Sequence, residues 1–265
     1  MDNNFKTMKI GLIGCGHLGL AFAKQLLKKG YDKSLLKLSY GGLLSTLERI
    51  KKAGLETCIA SNTAVCADSD VIILTIKPDN VSILSSFKFT DKSKIISCIA
   101  GYDTARLFQI TGQNITRIMT SSPMTIEAGK GVCAVYKGDS IVENLLSDLE
   151  LTIYRLSSED LFHQFTSAVC LPGAFLQLEL DKRAYSDYQF VAEYYNEFEI
   201  IGQLIAWAHM VTPQNLSAVD KELYISKMAT KGGITEAMID ALKNRATLSD
   251  AFKCAVHRSI EISLK

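Results

Sequence analysis

The chain has 265 residues, of which 48% are hydrophobic and 22% are charged, and its formal net charge is +1. This length suits one large domain or two ordinary ones, and the composition excludes a disordered protein. A net charge near zero gives no electrostatic reason to expect nucleic acid or an anionic membrane as a partner.

Several patterns that the sequence lacks bear on where the protein works and on what it binds. The segment MDNNFKTMKIGLIG has no signal-peptide apolar stretch, and no apolar run approaches the about 20 residues of a membrane span. The seven cysteines lie mostly in apolar runs without a Cys-x-x-Cys pair, which is typical of buried free thiols in a reducing compartment. Cys254-x-x-His257 lacks the second half of a metal site. We therefore predict a cytoplasmic protein that binds no membrane, no nucleic acid and no metal.

The first part of the chain alternates strand-like and helix-like segments. Short β-rich apolar runs predict strands at 9–13, 35–40, 71–76, 95–99, 117–119, 132–136 and 151–156. Helical patterns lie at 18–28, 43–52, 104–110 and 141–149. This alternation predicts a Rossmann-type, doubly wound, mostly parallel sheet with helices on both faces.

From about residue 158 onward the pattern becomes all-helical. Helices are predicted within 161–184, 188–210, 213–229, 235–243 and 248–263. Thr212-Pro213 is interpreted as the start of the third of these, and Gly232-Gly233 as the break before the fourth. We therefore predict an α/β fold with one domain at 1–158 and an all-helical domain at 159–265.

A glycine-rich loop follows the first predicted strand. In IGLIGCGHLGLAFA, the spacing of Gly14, Gly16 and Gly19 is G-x-G-x-x-G between a strand and a helix, which is typical of dinucleotide binding. The first glycine permits the tight turn, the second lets a pyrophosphate approach the backbone, and the third lets the helix pack on the sheet. We predict that the whole loop binds the cofactor: Gly14, Cys15, Gly16, His17, Leu18 and Gly19.

The end of the second predicted strand bears on cofactor choice. It reads LKLSYGG and lacks the acid that binds the ribose 2′-hydroxyl of NAD. Without that carboxylate, a 2′-phosphate is not repelled and Ser39 is placed to donate to it. Lys37 and Arg49 are the nearest cations. The sequence therefore predicts NADP(H) in preference to NAD(H).

Segments after three further strands are expected to line the same crevice, because ligands bind outside the carboxyl ends of such strands. A solvated surface lysine is the equally open interpretation of Lys77. The expected cofactor-binding residues are Lys77, Pro78, Ala100, Gly101 and Ser121.

The chain resembles the pyrroline-5-carboxylate reductase family from about residue 9 to near its C-terminus. The resemblance lies in IGCGHLG, TIKPDNV, ISCIAG, RIMTSSPMTIEAGKGVCAVY and ATKGGITEAMIDALK, in that order. It implies NADPH-dependent reduction of a cyclic imine carboxylate, 1-pyrroline-5-carboxylate, to L-proline. It also implies that 1–158 binds NAD(P), and that 159–265 binds the substrate and forms a homodimer or a higher homo-oligomer.

The last of these motifs resembles the loop that holds the substrate carboxylate in this family. There, a Ser-Pro-Gly-Gly-Thr-Thr-like turn at a helix start supplies backbone amides and a threonine hydroxyl. The resemblance implies that the substrate is bound by Thr230, Lys231, Gly232, Gly233 and Thr235. No histidine or acid stands out as an obligatory proton donor, so we predict that Thr235 or a water supplies the catalytic proton.

The sequence departs from the family pattern near both ligands. Lys231 replaces the usual proline, Ser121 replaces an asparagine near the nicotinamide, and Cys170 lies in AVCLPG where Ser-Gly-Ser-Gly-Pro is usual. Two alternatives stay open. One is a non-catalytic, cofactor-binding regulatory paralogue of the late-competence type. The other is a different small-molecule reductase such as a β-hydroxyacid dehydrogenase, although the helix lysine and asparagine of that class are not clear in 164–182.

Overall fold

The computed structural model describes residues 5–264, and the chain divides into two compact units, Met1–Leu156 and Ser157–Lys265. The described part of the first unit contains seven strands and six α-helices. The strands are β1 (Ile10–Ile13), β2 (Leu36–Ser39), β3 (Val71–Leu74), β4 (Lys94–Ser97), β5 (Ile115–Thr120), β6 (Val132–Tyr136) and β7 (Thr152–Arg155). The helices are α1 (His17–Lys28), α2 (Leu44–Lys52), α3 (Asn62–Asp68), α4 (Thr104–Thr111), α5 (Pro123–Glu127) and α6 (Ser140–Asp148).

The seven strands form one sheet in the order β2-β1-β3-β4-β5-β6-β7. All neighbours pair in parallel except β5 and β6, which are antiparallel. The chain passes from β1 to β2 on one side and then crosses to β3 on the other, so the strand order reverses at β1. This reversal creates a crevice at the carboxyl ends of β1 and β3.

Alternate residues of the central strands enter two separate cores. Val71 and Ile73 pack on one face with α1 residues such as Phe22, whereas Ile72 and Leu74 pack on the other with Val65 of α3. Both sets are apolar because both faces are covered. The predicted doubly wound, mostly parallel sheet is confirmed.

The second unit is helical throughout its described residues, as predicted. Its helices are α7 (Leu161–Ala168), α8 (Leu171–Leu180), α9 (Asp187–Tyr194), α10 (Ile201–Val211), α11 (Ala218–Met228), α12 (Ile234–Lys243) and α13 (Leu248–Ser263). Packing of α12 against α13, and of the Phe190, Tyr194 and Phe252 rings against one another, forms part of its core.

Three predicted helix boundaries in this unit are wrong. The predicted 161–184 helix is two helices, because Pro172 has no N–H and lies in the first turn of α8. The predicted 188–210 helix is likewise divided into α9 and α10. Thr212-Pro213 does not begin a helix: Thr212 is the C-cap of α10 and its hydroxyl donates to Ala208 O at 2.6 Å, while Ser217 caps α11.

Large apolar side chains of α10 and α13 are used inside the helical unit. Leu204 and Trp207 of α10, and Ala251 and Phe252 of α13, are buried within the single chain. The large apolar side chains that stay exposed in this unit are Tyr188, Tyr195, Met210, Val219, Leu223, Ile260 and Leu264. These exposed side chains are the first candidates for an apolar interface.

All seven cysteines fall within the described residues, and none forms a disulfide. Six are buried and only Cys254, on α13, is exposed. Burial raises the pKa of Cys66 to about 11, so this thiol stays protonated at neutral pH. Within residues 5–264 no helix combines the length and apolar character needed to span a membrane. The same residues contain no cluster of three or more His, Cys, Asp or Glu arranged to hold a metal ion.

Candidate functional site

The first glycine loop turns tightly between β1 and α1. Gly14 N–H and Cys15 N–H both donate to Ser39 O, at 3.2 and 2.7 Å, and Gly16 N–H donates to Gly14 O at 2.6 Å. These bonds tie the loop to the end of β2, so the carboxyl ends of β1 and β2 form one rigid rim.

The three glycines answer different steric demands. Gly14 has φ +94°, and a Cβ there would lie 2.7 Å from Ile76 N. A Cβ at Gly19 would lie 2.7 Å from Thr75 Oγ1, so this glycine lets α1 approach the end of β3. A Cβ at Gly16 would meet only Gly14 O, at 3.8 Å. The protein itself therefore leaves space open at Gly16, as a site for a bulky ligand beside the backbone requires.

A cleft of about 780 Å³ opens at this rim. Six of the predicted cofactor residues line it: Gly14, Cys15, Gly16, His17, Ser39 and Lys77. The residues that the sequence did not single out there include Tyr40, Leu43, Thr46, Asn62, Thr75, Asp79 and Asn80. Asp79 is the one acid among the lining residues, against the two cations Lys77 and Arg49, so the cleft favours an anion.

Arg49 of α2 reaches into this cleft and makes no ion pair within the described part of the chain. Its Nη1 donates to His17 Nε2 at 2.6 Å, and its Nη2 donates to Thr46 Oγ1 at 3.0 Å. Its Nε is buried and has no hydrogen-bond partner. The guanidinium group lines the cleft with its charge unpaired within residues 5–264, and phosphate is the kind of anion that arginine pairs with most readily.

The titratable groups beside Arg49 are held neutral. Desolvation, followed by the charges of Arg49 and Lys77, lowers the pKa of His17. A neutral imidazole also agrees with the contact, because Arg49 only donates and His17 Nε2 must accept. Burial raises the pKa of Cys15 to about 12 and makes its thiol inert.

The two other polar side chains considered at the end of β2 are engaged within the protein. Ser39 is 4% exposed, and its hydroxyl donates to Asn62 Oδ1 at 2.5 Å. Lys37 is ion-paired with Asp68 and does not line the cleft. Of the two cations nearest Ser39, Arg49 is therefore the one available to a ligand.

The remaining predicted cofactor residues do not line the cleft: Leu18, Gly19, Pro78, Ala100, Gly101 and Ser121. Gly101 has φ +77°, and its carbonyl accepts from Arg106 Nη1 at 3.2 Å. Ser121 is 3% exposed, and its hydroxyl bonds Thr125 Oγ1 at 2.7 Å and accepts from Val132 N–H at 3.0 Å. The Ser121 hydroxyl is thus committed to holding the turn after β5.

The second glycine loop precedes α12. Gly232 has φ +70°, and Gly233 N–H donates to Thr230 O at 2.8 Å. A Cβ at Gly233 would lie 2.8 Å from the same carbonyl oxygen, so the turn itself requires glycine there. Thr230 and Lys231 are exposed.

Thr235 does not cap α12. The N-cap is Gly233, which has no side chain, and Thr235 is the second helical residue. Its hydroxyl donates to Cys170 Sγ at 3.1 Å, and Cys170 Sγ in turn donates to Thr166 O at 3.2 Å. Burial raises the pKa of Cys170 to about 11.

Two charged side chains that the sequence did not indicate hold this loop. Arg258 of α13 donates to Gly232 O from Nε at 2.8 Å and from Nη2 at 2.6 Å. Glu236 Oε2 accepts from Gly232 N–H at 2.6 Å. Glu236 follows Gly232 by four residues, so the sequence shows it as an acid in the first turn of the helix. Arg258 lies 26 residues away and had no local signal.

The first unit matches a known family model. The model described as "NADP oxidoreductase coenzyme F420-dependent" covers residues 9–101, which include the first glycine loop. The chain is thus related to NAD(P)-dependent oxidoreductases.

Several pyrroline-5-carboxylate reductases are similar to this chain over nearly its full length. Pyrroline-5-carboxylate reductase of Aquifex aeolicus is 26% identical over 262 residues, which cover 94% of each chain. The crystal structure of 1-pyrroline-5-carboxylate reductase from Streptococcus pyogenes is 25% identical, with a TM-score of 0.60 over 97% of this chain and 98% of that one. The NADP-bound Plasmodium falciparum pyrroline carboxylate reductase shares the fold at 19% identity, with a TM-score of 0.60 over 97% of this chain and 99% of that one. By sequence and by fold, the chain is similar to pyrroline-5-carboxylate reductases over nearly its whole length.

Proposed function

We propose that this protein is an NADPH-dependent reductase of a cyclic imine carboxylate, and that it converts 1-pyrroline-5-carboxylate to L-proline. The observation that carries the proposal is the similarity to the Aquifex aeolicus reductase across 94% of both chains. The substrate class comes from that relative's name, and the cofactor part has its own support in the cleft.

The residues of the cleft fit a phosphorylated dinucleotide. Gly16 leaves the space that a pyrophosphate needs beside the backbone, and the N-terminus of α1 favours its charge. Arg49 lines the cleft together with Ser39, the last residue of β2, and its guanidinium charge, unpaired among the described residues, suits a 2′-phosphate at that strand end. No acid stands at that strand end. We therefore propose NADPH rather than NADH as the preferred cofactor.

The loop before α12 is the proposed site for the substrate carboxylate. The first-turn amides of α12, at Ile234 and Thr235, have no acceptor within the helix. A helix N-terminus favours an anion through these N–H groups and through the helix dipole. Thr230, Lys231, Gly232, Gly233 and Thr235 remain the proposed substrate-binding residues.

The protein's part in the chemistry is mainly positioning. NADPH, when bound, supplies the hydride that reduces the imine carbon. The loop amides hold the substrate carboxylate and so fix the ring, which converts a bimolecular encounter into an oriented one. The Thr235 hydroxyl proton points to Cys170 Sγ, which leaves the Oγ1 lone pairs free to accept from a protonated ring nitrogen. In this scheme the proton on nitrogen arrives with the substrate or from water.

A non-catalytic, cofactor-binding role is the second candidate, and one observation favours it. The Ser121 hydroxyl, at the position where the family pattern has an asparagine, is buried and bonded to Thr125 and Val132. A nicotinamide-binding polar group would then be missing. Such a protein would bind NADPH without turning it over.

Steady-state turnover with purified full-length protein tests the proposal. On addition of pyrroline-5-carboxylate we expect NADPH to be oxidised, as measured by its absorbance, and proline to be formed in equal amount. NADPH binding without oxidation would favour the non-catalytic candidate. Oxidation only with a β-keto acid would favour a β-hydroxyacid dehydrogenase.

A further inference from the structure

Glu236 occupies part of the second glycine loop with its own carboxylate. It is the third residue of α12, and its Oε2 accepts from Gly232 N–H at 2.6 Å. In residues 5–264 the structure shows no ion pair for Glu236, so its charge is balanced by no direct partner. The first donor of the loop therefore already faces a carboxylate.

The loop is held in this state from its other side as well. Arg258 donates to Gly232 O from Nε and Nη2, and its Nη1 donates to Glu261 Oε2 at 2.8 Å. Gly233 N–H is taken by Thr230 O at 2.8 Å. Neither glycine N–H is thus available to an incoming anion, although both glycines lie where the substrate carboxylate is proposed to bind.

We propose that Glu236 is an internal competitor of the substrate carboxylate, which must displace it from Gly232 N–H. The inference rests on the proposed function, because it requires an anionic ligand at this loop. An arriving carboxylate meets both an occupied donor and a like charge, and both effects weaken its binding. Arg258 keeps Gly232 in place when the two carboxylates exchange. Glu236 thereby sets the substrate affinity without taking part in hydride transfer.

The experiment measures L-proline binding by calorimetry in the presence of NADP⁺, using the full chain. Glu236→Ala frees Gly232 N–H and removes the negative charge. Asp240→Ala is the matched control, because Asp240 is an exposed acid one turn further along the same helix. We expect proline to bind about tenfold more tightly to Glu236→Ala, equivalent to about 1.4 kcal/mol, and unchanged to Asp240→Ala.

The direction of the change in proline affinity distinguishes this role of Glu236 from a role in helix capping. A purely structural Glu236 predicts a lower melting temperature and no gain in affinity. Unchanged or weaker proline binding in Glu236→Ala, with normal binding in the wild type, would overturn the inference and leave the proposed function standing. Absence of proline binding in all three proteins, with NADP⁺ still bound, would remove the proposed function and this inference with it. In turnover, the same variant should show a lower KM at unchanged kcat.

Discussion

Gly16 differs from the other two glycines of its loop because nothing in the protein requires it. Gly14 and Gly19 have backbone or side-chain atoms within 3 Å of the place where a Cβ would stand, whereas Gly16 has open space. A small side chain at Gly16 therefore obstructs a ligand before it disturbs the fold. This separation makes the loop testable one residue at a time.

We expect Gly16→Ala to raise the Kd of NADPH at least about tenfold, or about 1.4 kcal/mol, because its methyl group intrudes on the pyrophosphate. The melting temperature should stay close to wild type, since the loss of a glycine N-cap costs at most about 1 kcal/mol. Gly19→Ala, in contrast, should lower the melting temperature, because its methyl group meets Thr75. Fluorescence titration and thermal melts make the comparison. Undiminished NADPH binding in Gly16→Ala would contradict this placement of the pyrophosphate.

Arg49 is the residue that we expect to discriminate NADPH from NADH. Loss of a hydrogen bond to a charged group costs about 1.5–3 kcal/mol, so Arg49→Gln should weaken NADPH binding roughly 10- to 100-fold. NADH, which lacks the 2′-phosphate, should lose far less. Lys37→Gln removes the same charge outside the cleft and serves as the control. Calorimetry with both cofactors gives the ratio, and an equal loss for both would place Arg49 elsewhere on the nucleotide.

Some of these side chains could be predicted from the sequence and others could not, for a physical reason. Ser39 and the missing acid were visible because β2 ends there, and in a Rossmann sheet the end of this strand lies beside the ribose of the cofactor. That Arg49, and not Lys37, enters the cleft depends on Asp68, which lies on α3 and pairs with Lys37. Tertiary neighbours decide which of two such side chains enters the cleft, and local sequence spacing does not reveal the outcome.

At the scale of elements, periodicity located all seven strands and four of the six helices described in the first unit. The two missed helices, α3 and α5, have seven and five residues, too few for a helical repeat to stand out. In the second unit the prediction of helices was correct, but the predicted positions of the breaks between helices were not. The break between α9 and α10 contains no glycine or proline, so only tertiary packing marks it.

The start of α12 allows a clean test of Thr235. Because Gly233 is the cap, Thr235→Val removes the hydroxyl and its bond to Cys170 without a capping loss. We expect kcat/KM with pyrroline-5-carboxylate to fall roughly 10- to 100-fold, by about 1.5–3 kcal/mol, at unchanged NADPH affinity. Thr235→Ser keeps the hydroxyl and should retain most activity. Kinetics that match wild type in Thr235→Val at equal folded fraction would assign the hydroxyl a purely structural role.

At the scale of the whole molecule, assembly into a homodimer or a higher homo-oligomer stays a prediction. The apolar stretches of α10 and α13 are used within the helical unit, whereas Val219 and Leu223, four residues apart on α11, are 72% and 50% exposed. Residues four apart share one face of a helix. That face is now our candidate for the contact between two copies.

We expect sedimentation at micromolar concentration to give at least twice the chain mass of 29.2 kDa. The double variant Val219→Lys and Leu223→Lys should shift the protein towards the single-chain mass, because charge is poorly tolerated in an apolar interface. Leu44→Lys, at a 75% exposed residue of the first unit, should leave the mass unchanged. A single-chain mass for the wild type would contradict the prediction of a homodimer.

The distribution of the cysteines makes the protein unusually simple to label. With six thiols buried and Cys254 exposed on α13, a maleimide dye should attach rapidly at one position per folded chain. The six protected sulfurs can react only after the surrounding structure opens, so slower uptake of further dye would report local or global opening over time. One reagent would thus label the helical unit at a single site and also report the rate at which each hydrophobic core opens.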